Sequence, residues 1–218
     1  MKDRPLHELF LDAISLERQR MASRRGFVIG AAKLAGAGSL GLAFAGGPGA
    51  PGALAQDATS DLDILNFALT LEHLEATFYR KGLETFSKKD FGRGVFDNLK
   101  LVAKHEADHV ALLTKTITGL GGTPVGEATY DFGYGKDAGA FLKVAAALEN
   151  TGVSAYDGAG AGIQDVNLLA VAGQIVAVEA RHASYLNLVN GKVPFPDSFE
   201  TPLSMKEVLK IAGPFITS

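Results

Sequence analysis

From residue 60 onward, apolar side chains recur every three to four positions, the period of helices that each bury one stripe. That stripe predicts a first helix from about Asp61 to Phe86 with Ser60 as its N-cap, and a second from about Gly94 to Thr118, closed by Gly119, Gly121 and Gly122. A third is expected from about Asp137 to Ala159, and a fourth from about Asp165 to Asn190, stopped by Gly191. Ser87 to Asp90 is a polar turn, while residues 121–137, with Pro124, several glycines, Tyr130 and Tyr134, form a long connection. The tail holds Pro194, Pro196, Pro202 and Pro214, with room for one short helix near Ser204–Ile211. Short turns leave consecutive helices antiparallel, whereas a crossover of about 17 residues reaches roughly 55 Å, enough to run the length of a helix of about 25 residues. The expected fold is therefore all-α, a four-helix bundle with one long crossover between helices 2 and 3.

Each apolar stripe is interrupted by an acid. Around Glu72 the face carries Leu65, Ala68, Leu69, Ala76 and Tyr79; around Glu106 it carries Leu99, Val102, Ala103, His109, Val110 and Leu113. Around Glu149 lie Leu142, Ala145, Ala146, Val153 and Tyr156; around Glu179 lie Ala172, Ile175, Val176, His182, Ala183 and Leu186. Glu106/His109 and Glu179/His182 are Glu-x-x-His pairs, whose spacing lets one helical turn present an oxygen and a nitrogen to the same ion. The heights also agree. The midpoint of Glu72 and Glu106 is position 89, inside the first turn, and that of Glu149 and Glu179 is position 164, inside the second. Folding each hairpin at its turn brings its acids to one level.

A buried ionised carboxylate without a partner is strongly unfavourable, and four in one core also repel one another. Two divalent cations remove that objection. Glu72, Glu106, His109, Glu149, Glu179 and His182 are thus the candidate metal ligands, with Glu106 and Glu179 placed to bridge, the histidines terminal, and Glu72 and Glu149 serving one metal each. Glu75, one turn after Glu72, also reaches the apolar arc and could replace or join it. A faint internal duplication favours Glu72: Tyr79 follows Glu72 by seven residues and Tyr156 follows Glu149 by seven. These tyrosines are expected to hydrogen-bond ligand carboxylates or relay an electron, or else to be ordinary core side chains. His73 and His105 turn about 100° from the neighbouring acids and read as surface residues. Lys104, Asp108 and Lys115 read as a solvated face, and Arg181 as outward-pointing.

The first 55 residues follow another pattern. Ser23-Arg24-Arg25-Gly26-Phe27-Val28-Ile29 is a twin-arginine signature, followed by a Gly/Ala-rich run from Val28 to Ala45, a Gly/Pro stretch to Pro51, and the small-x-small pattern Ala53-Leu54-Ala55. The run contains Lys33 and many glycines, and is short for a membrane span of about 20 strongly apolar residues. It reads as an export signal over residues 1–55, cleaved after Ala55 and carried by the twin-arginine translocase, which makes the protein periplasmic or secreted. That route exports folded proteins, so a metal can be loaded before copper and zinc compete for the same ligands. Iron or manganese fits such loading.

Removing residues 1–55 takes away seven basic and four acidic side chains, so 163 residues with 14 basic and 20 acidic groups remain, a net charge near −6. Such a surface gives no reason to expect nucleic-acid or anionic-membrane binding. The chain has no cysteine, which excludes disulfides and thiolate metal sites. Residues 56–190 make the bundle, and residues 191–218 a proline-containing tail.

The chain resembles the ferritin-like superfamily, and within it the exported ferritin-like domains that include the desiccation-related proteins. The resemblance is carried by Leu65-Asn66-Phe67-Ala68-Leu69, by Leu71-Glu72-His73-Leu74-Glu75 through Phe78-Tyr79, and by His105-Glu106 to His109-Val110. Ala147-Leu148-Glu149-Asn150-Thr151-Gly152-Val153-Ser154-Ala155-Tyr156 and Glu179-Ala180-Arg181-His182 complete it. It implies a ferritin-like four-helix bundle and a centre of two Fe or two Mn ions on the six candidate ligands. Relatives oxidise ferrous iron, reduce or disproportionate peroxide, or activate dioxygen. The proline-interrupted tail departs from cage ferritins, and no Cys-rich electron-transfer domain is present. The implied function is an exported di-metal carboxylate protein that oxidises Fe(II) or consumes peroxide in envelope stress protection, acting on peroxide or dioxygen, alone or as a homo-oligomer. The alternative is a non-catalytic protective or metal-sequestering protein.

Overall fold

The computed structural model describes residues 60–217. The export signal expected over residues 1–55 lies outside the described residues. Helix α1 spans Asp61–Thr85, α2 Val95–Gly119, α3 Ala138–Gly160, α4 Val166–Val189 and the short α5 Met205–Ala212, with 3-10 turns at Lys88–Asp90 and Gly213–Phe215. The expected helices are all present, with ends within two residues of those read from the periodicity. Their starts have local causes. The Ser60 hydroxyl accepts from Asp63 N at 3.2 Å, the Asp137 carboxylate from Gly139 N and Ala140 N, and that of Asp165 from Asn167 N. Gly94, at φ +80°, turns the chain into α2 in a conformation that L side chains rarely adopt.

Helices α1 and α2 form one antiparallel hairpin, and α3 and α4 the other. The crossover between them is pinned along α1 in order. Asn66 donates to Thr123 O and accepts from Val125 N, Thr77 donates to Glu127, Arg80 pairs with Glu127 at 2.6 Å, and Lys81 donates to Tyr130 O. Contacts that advance together along both segments mean that the crossover runs parallel to α1, from its N-terminal to its C-terminal end. At the far end, the Asp61 carboxylate accepts from Gln164 N and Asp165 N, so the second turn lies beside the start of α1. The expected single long crossover is therefore realised, and it delivers α3 antiparallel to α1.

The tail straps the bundle. Leu203 N donates to Ser154 O at 3.0 Å, Ser154 donates to Glu200, and the buried Val208 and Ala212 face inward from α5. Beyond it, Asp131 N donates to Phe215 O and Thr217 N to Thr129 O, tying the chain end to the crossover.

An aromatic cluster fills one end of the bundle. Phe78 stacks on Phe141 at 4.6 Å, with Tyr79, Phe86, Phe132 and Tyr134 packed edge-on or tilted around the pair. The stack depends on a close approach of α1 to α3 at Gly82, where a Cβ would lie 2.1 Å from a Phe141 ring carbon. Ala at this site gains about 0.5–1 kcal/mol of helix propensity but must displace a ring enclosed on several sides, which costs about 1–3 kcal/mol. Gly82→Ala is expected to be net destabilising, lowering the thermal midpoint by several degrees. An unchanged or raised midpoint in calorimetry would show that the ring has room to move.

Candidate metal centre

Each of the four long helices contributes one fully buried glutamate, Glu72, Glu106, Glu149 and Glu179, each with 0% exposure. His109 and His182 are buried beside them. The Nδ1 atom of His109 lies 3.2 Å from Glu72 Oε2, 3.2 Å from Glu106 Oε2 and 3.1 Å from Glu179 Oε1. The Nδ1 atom of His182 lies 3.0 Å from Glu106 Oε1 and 3.1 Å from Glu149 Oε2. The structure thus brings all six sequence-predicted residues to one point. They form two overlapping groups, Glu72, Glu106, His109 and Glu179, and Glu106, Glu149, Glu179 and His182, each with its donor atoms within 4.8 Å of one another. Glu106 and Glu179 belong to both groups.

The donor geometry suits cations better than protons. An imidazole N–H has one hydrogen, yet three carboxylate oxygens surround His109 Nδ1 at nearly equal distance. Among the described residues, the buried side-chain polar atoms left without a hydrogen bond are Glu106 Oε1 and both oxygens of Glu179, all on the two shared glutamates. Glu106 Oε1 and Glu179 Oε1 stand close to a histidine nitrogen without the alignment of a hydrogen bond. Orphaned buried carboxylate oxygens are rare and strongly unfavourable unless something coordinates them. The Glu/His cluster can therefore bind metal.

The tyrosines join the halves by exchange. Tyr156 on α3 donates to Glu72 Oε1 on α1 at 2.5 Å, and Tyr79 on α1 donates to Glu149 Oε1 on α3. Of the readings open from sequence, carboxylate bonding is the one the structure displays. Burial and the adjoining Glu149 and Glu72 hold the two phenols well above their usual range, so they stay protonated donors.

Glu72 rather than Glu75 makes the contacts with His109 and Tyr156. Glu75 is nonetheless buried and belongs to neither four-residue group. Its carboxylate lies beside Glu179 across Gly152, where a Cβ would sit 3.3 Å from Glu75 Oε1 and 3.2 Å from Glu179 Oε2. In the duplication, Gly152 is the counterpart of Glu75, so one half gives up a side chain where the other buries an acid.

The surface assignment of His105 requires correction. Its ring stacks on His182 at 5.2 Å, and its Nδ1 is 2.9 Å from His182 Nε2. A rotation of 100° from Glu106 on a bundle helix points His105 at the neighbouring α4 instead of at solvent. With His182 Nδ1 turned into the cluster, Nε2–H donates to His105 Nδ1 and orients the ring. A histidine one position before Glu-x-x-His was the available signal. His73 does face away from the centre, but it too is half-buried, with Nε2 3.2 Å from Val125 O beneath the crossover. Arg181, Lys115 and the Lys104–Asp108 pair are exposed as expected.

Metal-free, the cluster relieves its charge only with protons. Burial and the charge of Glu179 push Glu106 up to about 7 against the pull of the adjacent His109 and His182 imidazoles. Burial and Glu149 push Glu179 well up, and burial with Glu179, Glu149, Glu106 and Glu72 does the same to Glu75. Burial pulls the imidazoles down, but the carboxylates outweigh it and push His109 up to about 12 and His182 up to about 11. Raised carboxyls stabilise the fold below the unfolded value of 4.5 and lose that contribution as pH climbs, through about 7 for Glu106. The raised histidines contribute fully below 6.5 and lose stability above it. Both signs agree, so the metal-free protein is expected to melt progressively lower from about pH 5 to about pH 8.5. Metal binding needs deprotonated carboxylates, so the stabilisation by added Mn(II) or Fe(II) is expected to grow over the same range. Melting curves with chelator and with metal test this. A metal-free midpoint that rises with pH would contradict the proton-held cluster.

Two comparisons place this geometry among known proteins. The protein named rds1 of Schizosaccharomyces pombe is 26% identical to this chain over 161 residues, covering 72% of this chain and 39% of the yeast protein. The chain thus spans well under half the length of that relative. Residues 60–192 match the ferritin-like domain family model, a stretch that contains all four long helices and every residue of the buried cluster. By that match, this chain belongs to the ferritin-like domain family.

Proposed function

We propose that the protein is an exported di-metal carboxylate protein of the desiccation-related branch, which binds two iron or two manganese ions. Glu72, Glu106, His109, Glu149, Glu179 and His182 would hold the pair, Glu106 and Glu179 in common, and the protein would oxidise Fe(II) or consume peroxide in the envelope. One observation carries this proposal above the rest: the orphaned oxygens sit on the two glutamates that belong to both donor groups. Such ions supply paired one-electron redox chemistry. The protein's own part is to hold four acids from four helices at one height, to orient His182 through His105, and to fix Glu72 and Glu149 with phenolic hydrogen bonds. The twin-arginine signature at Ser23–Ile29 supports export of an already loaded protein, with residues 1–55 as the signal.

The shared glutamate gives a test with two opposite readouts. Glu106→Gln keeps the shape and removes a charge that the metal-free core tolerates poorly. The metal-free variant is expected to melt higher than the parent at about pH 8. It should bind Mn(II) or Fe(II) more than ~100-fold more weakly, since loss of even an outer partner of a ligand costs about 10–100-fold. Elemental analysis of the parent should find two ions per chain. Unaltered metal affinity in the variant would remove Glu106 from the ligand set. Bound metal without Fe(II) oxidation or peroxide loss would assign the protein a protective or sequestering role instead.

A further inference from the structure

A cavity lies one to two helical turns from the centre, towards the N-terminal end of α1. It is bounded by Ile64 and Ala68 of α1, Leu113 of α2, Ala155 and Tyr156 of α3, and Ala172 of α4. Ala68 is one turn before Glu72 and Leu113 one turn after His109. The lining is carbon almost throughout, and the phenol of Tyr156 is already committed to Glu72. The free volume is about 20 Å³. Lodging one water-sized molecule takes roughly 10–15 Å³.

The duplication shows that this space is specific to one half. The offset of 77 residues that carries Glu72 to Glu149 and Tyr79 to Tyr156 also carries Phe78 to Ala155 and Ile64 to Phe141. Phe78 and Phe141 are the stacked rings that fill the opposite end of the bundle, 4.6 Å apart. Their counterparts, Ala155 and Ile64, line the cavity. The offset of 73 that carries Glu106 to Glu179 and His109 to His182 carries the fully buried Leu99 to Ala172, again a lining residue. Smaller side chains thus stand at three positions where the other half is packed solid.

Resting on the metal reading above, we propose that this cavity is a binding site for dioxygen, held against Tyr156 beside the centre. The innermost space suits a ligand of one or two heavy atoms. Apolar lining gives water no hydrogen-bond partner and favours apolar gases. Peroxide would surrender its hydrogen bonds to water and meet no partner in this lining. The chemistry of the space therefore favours an apolar diatomic over peroxide at this site.

The test uses the full-length chain, metal-free, with methyl-resolved NMR under dioxygen pressure, because dioxygen is paramagnetic and relaxes the nuclei it touches. The Ala68 and Ala155 methyls should relax several-fold faster, while Ala145, the counterpart of Ala68 at the filled end, stays near its baseline. Ala172→Leu, which restores the counterpart of Leu99, should abolish the enhancement at Ala68 and Ala155. Ala155→Val should reduce it, should the leucine variant fold poorly by circular dichroism. Equal relaxation at Ala68 and Ala145 in the parent would overturn the proposal, and so would an enhancement that survives in both folded variants. In metal-loaded protein, Ala172→Leu should raise the dioxygen concentration for half-maximal Fe(II) oxidation several-fold and leave the peroxide-driven rate unchanged. A chain that binds no metal would sink the oxidoreductase function while leaving the relaxation measurement to decide the cavity.

Discussion

The constraint on which the rest depends is electrostatic. Four fully buried carboxylates, one from each long helix, converge in two overlapping donor groups, each with its atoms within 4.8 Å of one another, and a fifth, Glu75, is buried alongside. Water solvates such charges far better than a protein core does, so positive charge must be supplied from within. Protons supply it weakly, by raising carboxyls and keeping imidazoles charged. Cations would supply it directly and would also coordinate the oxygens left without a hydrogen bond. The surrounding packing makes sense as the device that forces the acids to this one level. Equal helix lengths either side of each turn, and a crossover long enough to run beside α1, leave them no other height.

The contacts at the centre run both within and between the hairpins. Tyr79 and Tyr156 bridge α1 and α3 in opposite directions, and His109 and His182 reach across α2 and α4 to Glu179 and Glu106. The local pairing of each hairpin comes from apolar faces and short turns. Association of one hairpin with the other combines apolar packing, such as the Phe78–Phe141 stack, with polar groups whose satisfaction depends on what the cluster binds. Metal affinity and hairpin association are therefore linked quantities, and a ligand that fills the centre stabilises the bundle as a whole.

Much of this was legible from residue order alone. Acids interrupting apolar stripes, two Glu-x-x-His pairs, and midpoints that fall inside the turns were enough to place six side chains together, because helix period and hairpin geometry are local rules. The exchange of the tyrosines was half legible: the repeated spacing pointed to Tyr79 and Tyr156 as a pair, but not to which half each would bond. His105 was misread because a rotation of 100° says how far a side chain turns and not which neighbour stands there. Glu75 was ambiguous for a related reason, since its burial depends on Gly152 of another helix. These are questions of which helix lies beside which, and they are settled by tertiary packing.

The two ends of the bundle show how a near-symmetric repeat acquires direction. At one end the rings of Phe78 and Phe141 stack over Gly82, and the crossover adds Phe132 and Tyr134, so Tyr79 is enclosed by solid aromatic packing. At the other, Ala155, Ala172 and Ile64 leave Tyr156 facing open apolar space. Space in a core forgoes dispersion contacts, and filling it would add stability. Gly152 departs from symmetry in the same sense, giving up a side chain where Glu75 needs room. A centre built from two similar halves would treat its two sides alike. Removing bulk on one side and burying an extra acid from the other gives it a filled end, an open end and two inequivalent carboxylate environments, at the expense of packing that the matching half shows was attainable.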